Sequence, residues 1–249
     1  MQRIFFVSCF MFVMFVSAAF SGGTDDSLYA DVLENYTKNG LVDYAGLKAH
    51  RQNLDAYLAM MGTVIPTTMS RDDQLAFYIN LYNAATLKFI IEKYPVKSIK
   101  DIGSILSSPW KMKSVLLNGR MVSLDHIEHG IVRPVFKDRR IHFALNCSAM
   151  SCPLLLGEPY EGDMIDIQLE LATDMFINDG RFNYLKGKTL YVSKIFSWYR
   201  KDFPDDFIGW FSRYARGDLK KKLDHIKTSG GQPKVKYLKY DWSLNKMAR

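Results

Sequence analysis

Residues 70–93, SRDDQLAFYINLYNAATLKFIIEK, constrain the fold more than any other segment of this chain. Ser70 stands at a helix N-cap with Asp73 in the capping-box position, and Pro95 bars the helical conformation just beyond the far end. Leu75, Ile79, Tyr82 and Phe89 recur at helical spacing, while Phe77, Leu81, Ala85 and Ile90 fill the other faces. A helix apolar nearly all round has no side to give to water, so the pattern predicts a central helix wrapped by other elements. Asn80 and Asn83, three apart, share one face of it and need hydrogen-bond partners once buried.

The flanking sequence supplies the wrapping. A helix is predicted over 25–38, ended by Asn39-Gly40, with further helical segments to about residue 61. Asn118-Gly119 sets a two-residue hairpin turn between strands near 115–117 and 120–122. Ser123 then caps a short helix, 124 to about 133, halted by Pro134. Residues 140–146 alternate, predicting a strand with Ile141, Phe143 and Leu145 on one face and His142, Ala144 and Asn146 on the other. A helix over 163–178, a hairpin pairing 182–185 with 189–192, helices near 195–201, 205–215 and 218–226, and a strand over 234–240 follow. The expected fold class is α+β, a single mixed domain of helices around short antiparallel strands and hairpins.

Composition matters at the two ends. An early Arg3, an apolar run from Ile4 to Phe20 and small residues at its end predict a signal peptide over 1–21, leaving 22–249 as a secreted or periplasmic domain. No later stretch is apolar enough to span a membrane. The formal charge of +7 is uneven: residues 188–249 hold 15 Lys or Arg against 6 Asp or Glu. That basic quarter reads either as attraction to an anionic surface or as a solvated face with balancing acidic neighbours. It carries no nucleic-acid motif, so no nucleic-acid partner is expected.

Loss of the leader removes Cys9 and leaves Cys147 and Cys152, inside a reactive cluster with Asp125, His126, Glu128, His129, His142 and Asn146. Three readings stay open. Cys147 could be a nucleophile, which needs an imidazole or another positive group to favour its thiolate. His129 is the expected base, oriented by Glu128 or Asp125, and His142 could reach Cys147 only if the chain turns sharply. Alternatively, Cys147 and Cys152 form a disulfide, in keeping with the compartment; closing so short a loop is worth on the order of 2 kcal/mol. A zinc site using His126, His129 or His142 with the cysteines has the right ligand types and the wrong spacings. No metal or cofactor is therefore expected.

These same residues resemble a known family. Asn80-Leu81-Tyr82-Asn83-Ala84, Ile127-Glu128-His129-Gly130, Arg140 to Cys147 and Ser151-Cys152-Pro153 are similar to the signature of the domain-of-unknown-function 547 family. The likeness continues in Ser193 to Tyr199, in Asp202-Phe203 and in Tyr240 to Asn245, and covers about 41–245. Ser148 stands where members often have Gly, Leu154 where a second Pro is common, and Tyr78 where Phe or Trp is usual. The resemblance implies that Asn80, Asn83, His129, His142, Asn146, Cys147 and Cys152 occupy motif positions, and it implies no particular reaction.

The function expected from these residues is a thiol-dependent hydrolase or acyl-transferase on a small or peptide-like ligand. Cys147, His129, Glu128 and His142 would form the catalytic group, and Asn80, Asn83 and Asn146 would position substrate or an oxyanion. The alternative is a non-catalytic extracytoplasmic binding module stapled by Cys147–Cys152. Trp198, Tyr199, Tyr240 and Trp242 read either as cleft walls or as core residues with a polar tip.

Overall fold

The computed structural model describes residues 24–103 and 108–248; the predicted leader lies outside them. The chain begins with α1 (Ser27–Tyr36), and Asn39-Gly40 turns β1 (Thr37–Lys38) onto β2 (Leu41–Val42). Helices α2 (Tyr44–Ala49) and α3 (Gln52–Met61) lead into the long α4 (Arg71–Lys93). Ser70 caps α4 by accepting from Asp73 N at 3.1 Å, as its spacing requires. Tyr94 ends the helix in extended conformation, ahead of Pro95.

α4 is the centre of the larger core. Its buried side chains run without a break from Leu75 to Leu87 and take in Phe89, Ile90 and Ile91. α2, α3, α6 (Ile165–Ile177) and the segment 126–132 pack on it. The hairpin of β3 (Lys113–Leu117) and β4 (Arg120–Ser123) turns on Asn118 and Gly119, whose φ angles are +47° and +70°.

Two segments differ from the sequence reading. Residues 126–132 coil as a π-helical turn that runs directly into α5 (Arg133–Phe136), so Pro134 lies in the first turn of a helix instead of ending one. Pro134, which has no N–H to donate, sits where the π-helical turn hands over to the α-helical one. Residues 139–143 form a 3₁₀ turn where a strand is predicted. Asp138 accepts from Arg140 N at 2.8 Å and also binds the Arg140 guanidinium, and this local pairing outcompetes an extended backbone. The turn then serves two cores at once, with Ile141 in the core around α4 and Phe143 in a second, aromatic one.

That second core joins Phe143 and Phe176 to Phe182, Phe196, Phe203, Phe207, Trp210 and Phe211. It underlies β5 (Tyr184–Lys186), β6 (Thr189–Val192), α7 (Ile195–Trp198), α8 (Phe207–Tyr214), α9 (Gly217–Thr228) and β7 (Lys234–Tyr237). β5 and β6 pair antiparallel, whereas β7 lies parallel on β6. The result is a mixed α+β fold, as expected. In the basic quarter, two of the α9 lysines are balanced locally, Lys220 by Asp224 and Lys222 by Asp218. No described helix is long and apolar enough to cross a membrane.

The last residues determine the site. Beyond β7 the chain crosses the loop that holds the two cysteines and bonds to it repeatedly. Met150 N donates to Ser243 O (2.8 Å), Ser151 N to Asp241 O (3.2 Å) and Asn245 N to Ser148 O (3.2 Å). This clamp brings Tyr240 and Trp242 beside Cys147.

Candidate active site

A pocket of about 270 Å³ opens where the 126–132 turn, the 145–153 loop, α7 and the C-terminal clamp meet. Cys147, Cys152, Glu128, His129 and His142 all line it. The structure therefore brings together the four residues expected to form the catalytic group, together with the second cysteine. His126 is not in the lining, and its ring lies over Gly130, where a Cβ would come within 2.8 Å of Nδ1. Among the described residues no group of three or more His, Cys, Asp or Glu is arranged to hold a metal ion.

The Cys147 and Cys152 sulfurs lie at disulfide-bonding separation, with Cα atoms 6.2 Å apart. Cys147 is half-buried and Cys152 buried. Cys147 N donates to Cys152 Sγ at 2.9 Å, and Tyr240 OH lies 3.3 Å from Cys147 Sγ and 3.2 Å from Cys152 Sγ. Burial, aided by the charge of Glu128, pushes the Tyr240 phenol well above its ordinary range, so this hydroxyl keeps its proton and remains a donor. Neither histidine is hydrogen-bonded to Cys147 Sγ.

The two histidines are held differently. His142 Nε2 lies 2.7 Å from Asp202 Oδ2, and its ring stacks on Tyr199 with centroids 3.9 Å apart. The His142 hydrogen bond, followed by that of Arg133, holds the Asp202 carboxyl well below the usual carboxylate range. An ionised carboxylate only accepts, so Nε2 carries a proton and Nδ1 is the ring nitrogen free to take one. His129 has the reverse arrangement. Arg133 Nη1, which can only donate, sits 3.2 Å from His129 Nδ1, so the lone pair there is occupied. Glu128 Oε1 is 3.7 Å from the same nitrogen, beyond hydrogen-bond distance.

Glu128 is buried by the π-helical turn. It accepts from Tyr199 OH at 2.6 Å and from Tyr82 OH at 3.3 Å. Turns of this kind recur at functional sites.

The three asparagines lie outside the pocket lining, and their amides are committed to the protein itself. Asn83 donates to Ala144 O and accepts from Asn146 N. Asn146 donates to Pro153 O and accepts from Ser148 N, bracing both ends of the cysteine loop. Asn80 bridges Tyr160 N and Tyr160 O, away from the sulfurs. These contacts make them residues that position the loop and the helix, rather than groups aimed at a ligand.

The aromatic residues do wall the pocket. Trp198, Tyr240 and Trp242 form a contiguous set with centroids 4.5–5.6 Å apart, extended by Trp110 against Trp242. Sequence reasoning assigned no part to Asp202 or Trp110. Asp202 lay in a motif block, but nothing in its neighbourhood pairs it with a histidine 60 positions earlier.

Fold and pocket together define a mixed α+β protein with a pocket lined by two cysteines and two histidines. Residues 66–177 match the model of the family described as "Protein of unknown function, DUF547", which supports the resemblance carried by the motifs. The matched span holds α4, the π-helical turn and the cysteine loop, while Asp202 and the aromatic wall of α7 and the clamp come from the chain beyond it. No curated protein and no solved structure matches the chain.

Proposed function

We propose that this protein is a thiol-dependent hydrolase or acyl-transferase acting on a carbonyl of a peptide-like substrate. Cys147 of the reduced protein is the nucleophile. One observation carries the reading: Cys147 shares a pocket with a histidine whose far nitrogen is fixed by an ionised aspartate. In this mechanism the Cys147 thiol passes its proton to His142 Nδ1 as sulfur bonds to the carbonyl carbon. His142 returns that proton to the leaving group, giving a thioester. Water or an amine then attacks the thioester, and the thiol is restored. His142 is preferred to His129 as base because Arg133 occupies the His129 Nδ1 lone pair. His129, with its proton on Nε2, is assigned as a donor toward developing oxyanion charge. Asn83 and Asn146 act by holding the loop, and Glu128 by shaping the floor.

A second reading, a non-catalytic extracytoplasmic binding module, is favoured by the bonding separation of the two sulfurs. A dithiol reductant separates the two. Protein as isolated and protein treated with dithiothreitol are each labelled with iodoacetamide at neutral pH and mapped by mass. The catalytic reading expects Cys147 of the reduced protein to alkylate much faster than a free cysteine, with the rate falling in His142→Ala. Ordinary thiol reactivity in the reduced protein, indifferent to His142, leaves the binding module.

A further inference from the structure

Glu128 is a buried carboxylate with no cationic side chain in direct contact; the nearby Arg133, which feels its charge, is ion-paired with Asp202 instead. It is 7% exposed, and its oxygens take two phenol protons, from Tyr199 and Tyr82. A carboxylate has room for further contacts, and a buried negative charge without a direct ion-pair partner is costly. Among the described residues no Lys or Arg lies within ion-pair distance of it. Beyond the two phenols, its neighbour at 3.7 Å is His129, whose Nδ1 is occupied by Arg133. Asp125 lines the same pocket, and the described lining contains neither Lys nor Arg.

The walls complement this charge. Trp110, Trp198, Tyr240 and Trp242 present a nearly continuous aromatic surface, and the faces of such rings are negative. They already draw the protein's own cations. Lys100 Nζ sits 3.9 Å from the Trp242 centroid, from outside the pocket, and the Arg133 guanidinium lies 5.0 Å from that of Tyr199. At 45% exposure, the Trp198 ring is unusually open for so large an apolar group.

We infer that this pocket binds its substrate through an organic ammonium group, held against the indole and phenol faces in the field of Glu128. An alkylated ammonium fits best, being weakly hydrated and needing no direct hydrogen bond from a carboxylate that two phenols already serve. The inference rests on the pocket being the substrate site of the thiol chemistry proposed above, and it names the class of substrate: an acyl compound, or an acyl acceptor, that bears such a cation.

Binding can be read without turnover. Full-length protein carrying Cys147→Ser is titrated with choline and with 3,3-dimethyl-1-butanol, its uncharged isostere, while tryptophan fluorescence is followed at constant ionic strength. Choline is expected to give a saturable change, and the alcohol to bind at least tenfold more weakly. Glu128→Gln, which keeps a partner for both phenols, is expected to weaken choline at least fivefold. Trp198→Ala, at a half-exposed position, is expected to do the same, so the inference remains testable if the Glu128 variant fails to fold. Equal affinity for choline and the alcohol, no saturable binding, or choline binding unchanged in both variants overturns it. Alkylation of wild-type Cys147 without choline reports on the thiol reading alone, so the two failures are distinguishable.

Discussion

His142 and Asp202, 60 residues apart, meet through a 2.7 Å contact between Nε2 and Oδ2, and Arg133 binds the same carboxylate at 2.8 and 3.0 Å. Asp202 thereby fixes which nitrogen of His142 carries the proton. Asp202→Asn, nearly isosteric, removes that control. The expected outcome is a fall in Cys147 alkylation, or in any acyl-transfer rate, on the order of 10²-fold or more, with folding retained. A variant alkylating as fast as wild type would remove Asp202 from the mechanism.

The same pair sets an acid limit on stability. Hydrogen bonds from His142 and Arg133 lower the Asp202 carboxyl from its ordinary 3.8. A group whose pKa is depressed by folding contributes stability above its unfolded value and loses it as pH falls toward the folded value. Urea midpoints of wild type and Asp202→Asn should therefore differ most above about pH 4 and converge below it. A gap of constant size from neutral to strongly acid pH would contradict the assignment.

Tyr240 donates to either sulfur, and in the reduced protein it would stabilise a thiolate. Loss of one hydrogen bond to a charged group costs about 1.5 kcal/mol, equivalent to about one pH unit. Tyr240→Phe is expected to shift the pH midpoint of Cys147 alkylation upward by about that amount. An unshifted profile would mean that the hydroxyl does not act on the reactive sulfur.

Ser148 adopts φ +61° in the turn after Cys147, a left-handed conformation that glycine takes without strain. Ser148→Gly should raise stability by about 1 kcal/mol, or about 2–4 °C in Tm for a chain of this size. Calorimetry showing an unchanged or lower Tm would mean that the Ser148 side chain contributes contacts that offset the backbone strain.

Asn146 ties Pro153 O and Ser148 N across the cysteine loop at 2.7 and 2.8 Å. Asn146→Ala leaves both buried groups without their partner and should cost about 2–4 kcal/mol, visible as a lower urea midpoint. An asparagine acting on an oxyanion would instead lower turnover with stability intact, so the two measurements together settle its role.

Local chemistry made much of this protein legible from sequence alone. The Ser70 cap, the stop at Pro95 and the apolar surface of α4 are decided within one helix, and Asn118-Gly119 selects its turn through its own backbone preferences. The gathering of cysteines and histidines between 126 and 152 was likewise legible, because only one helical turn and one loop separate them. Residues 139–143 were misread because side-chain caps and two flanking cores, rather than alternation, determine their backbone. Tertiary structure alone decided which groups face one another. Asp202 reaches His142, Tyr240 reaches both sulfurs, and Trp110 joins Trp242, all through contacts between residues at least 60 positions apart. Such contacts follow from burying two hydrophobic cores side by side and drawing the C-terminal segment across the cysteine loop, and a pattern of neighbours along the chain does not encode them.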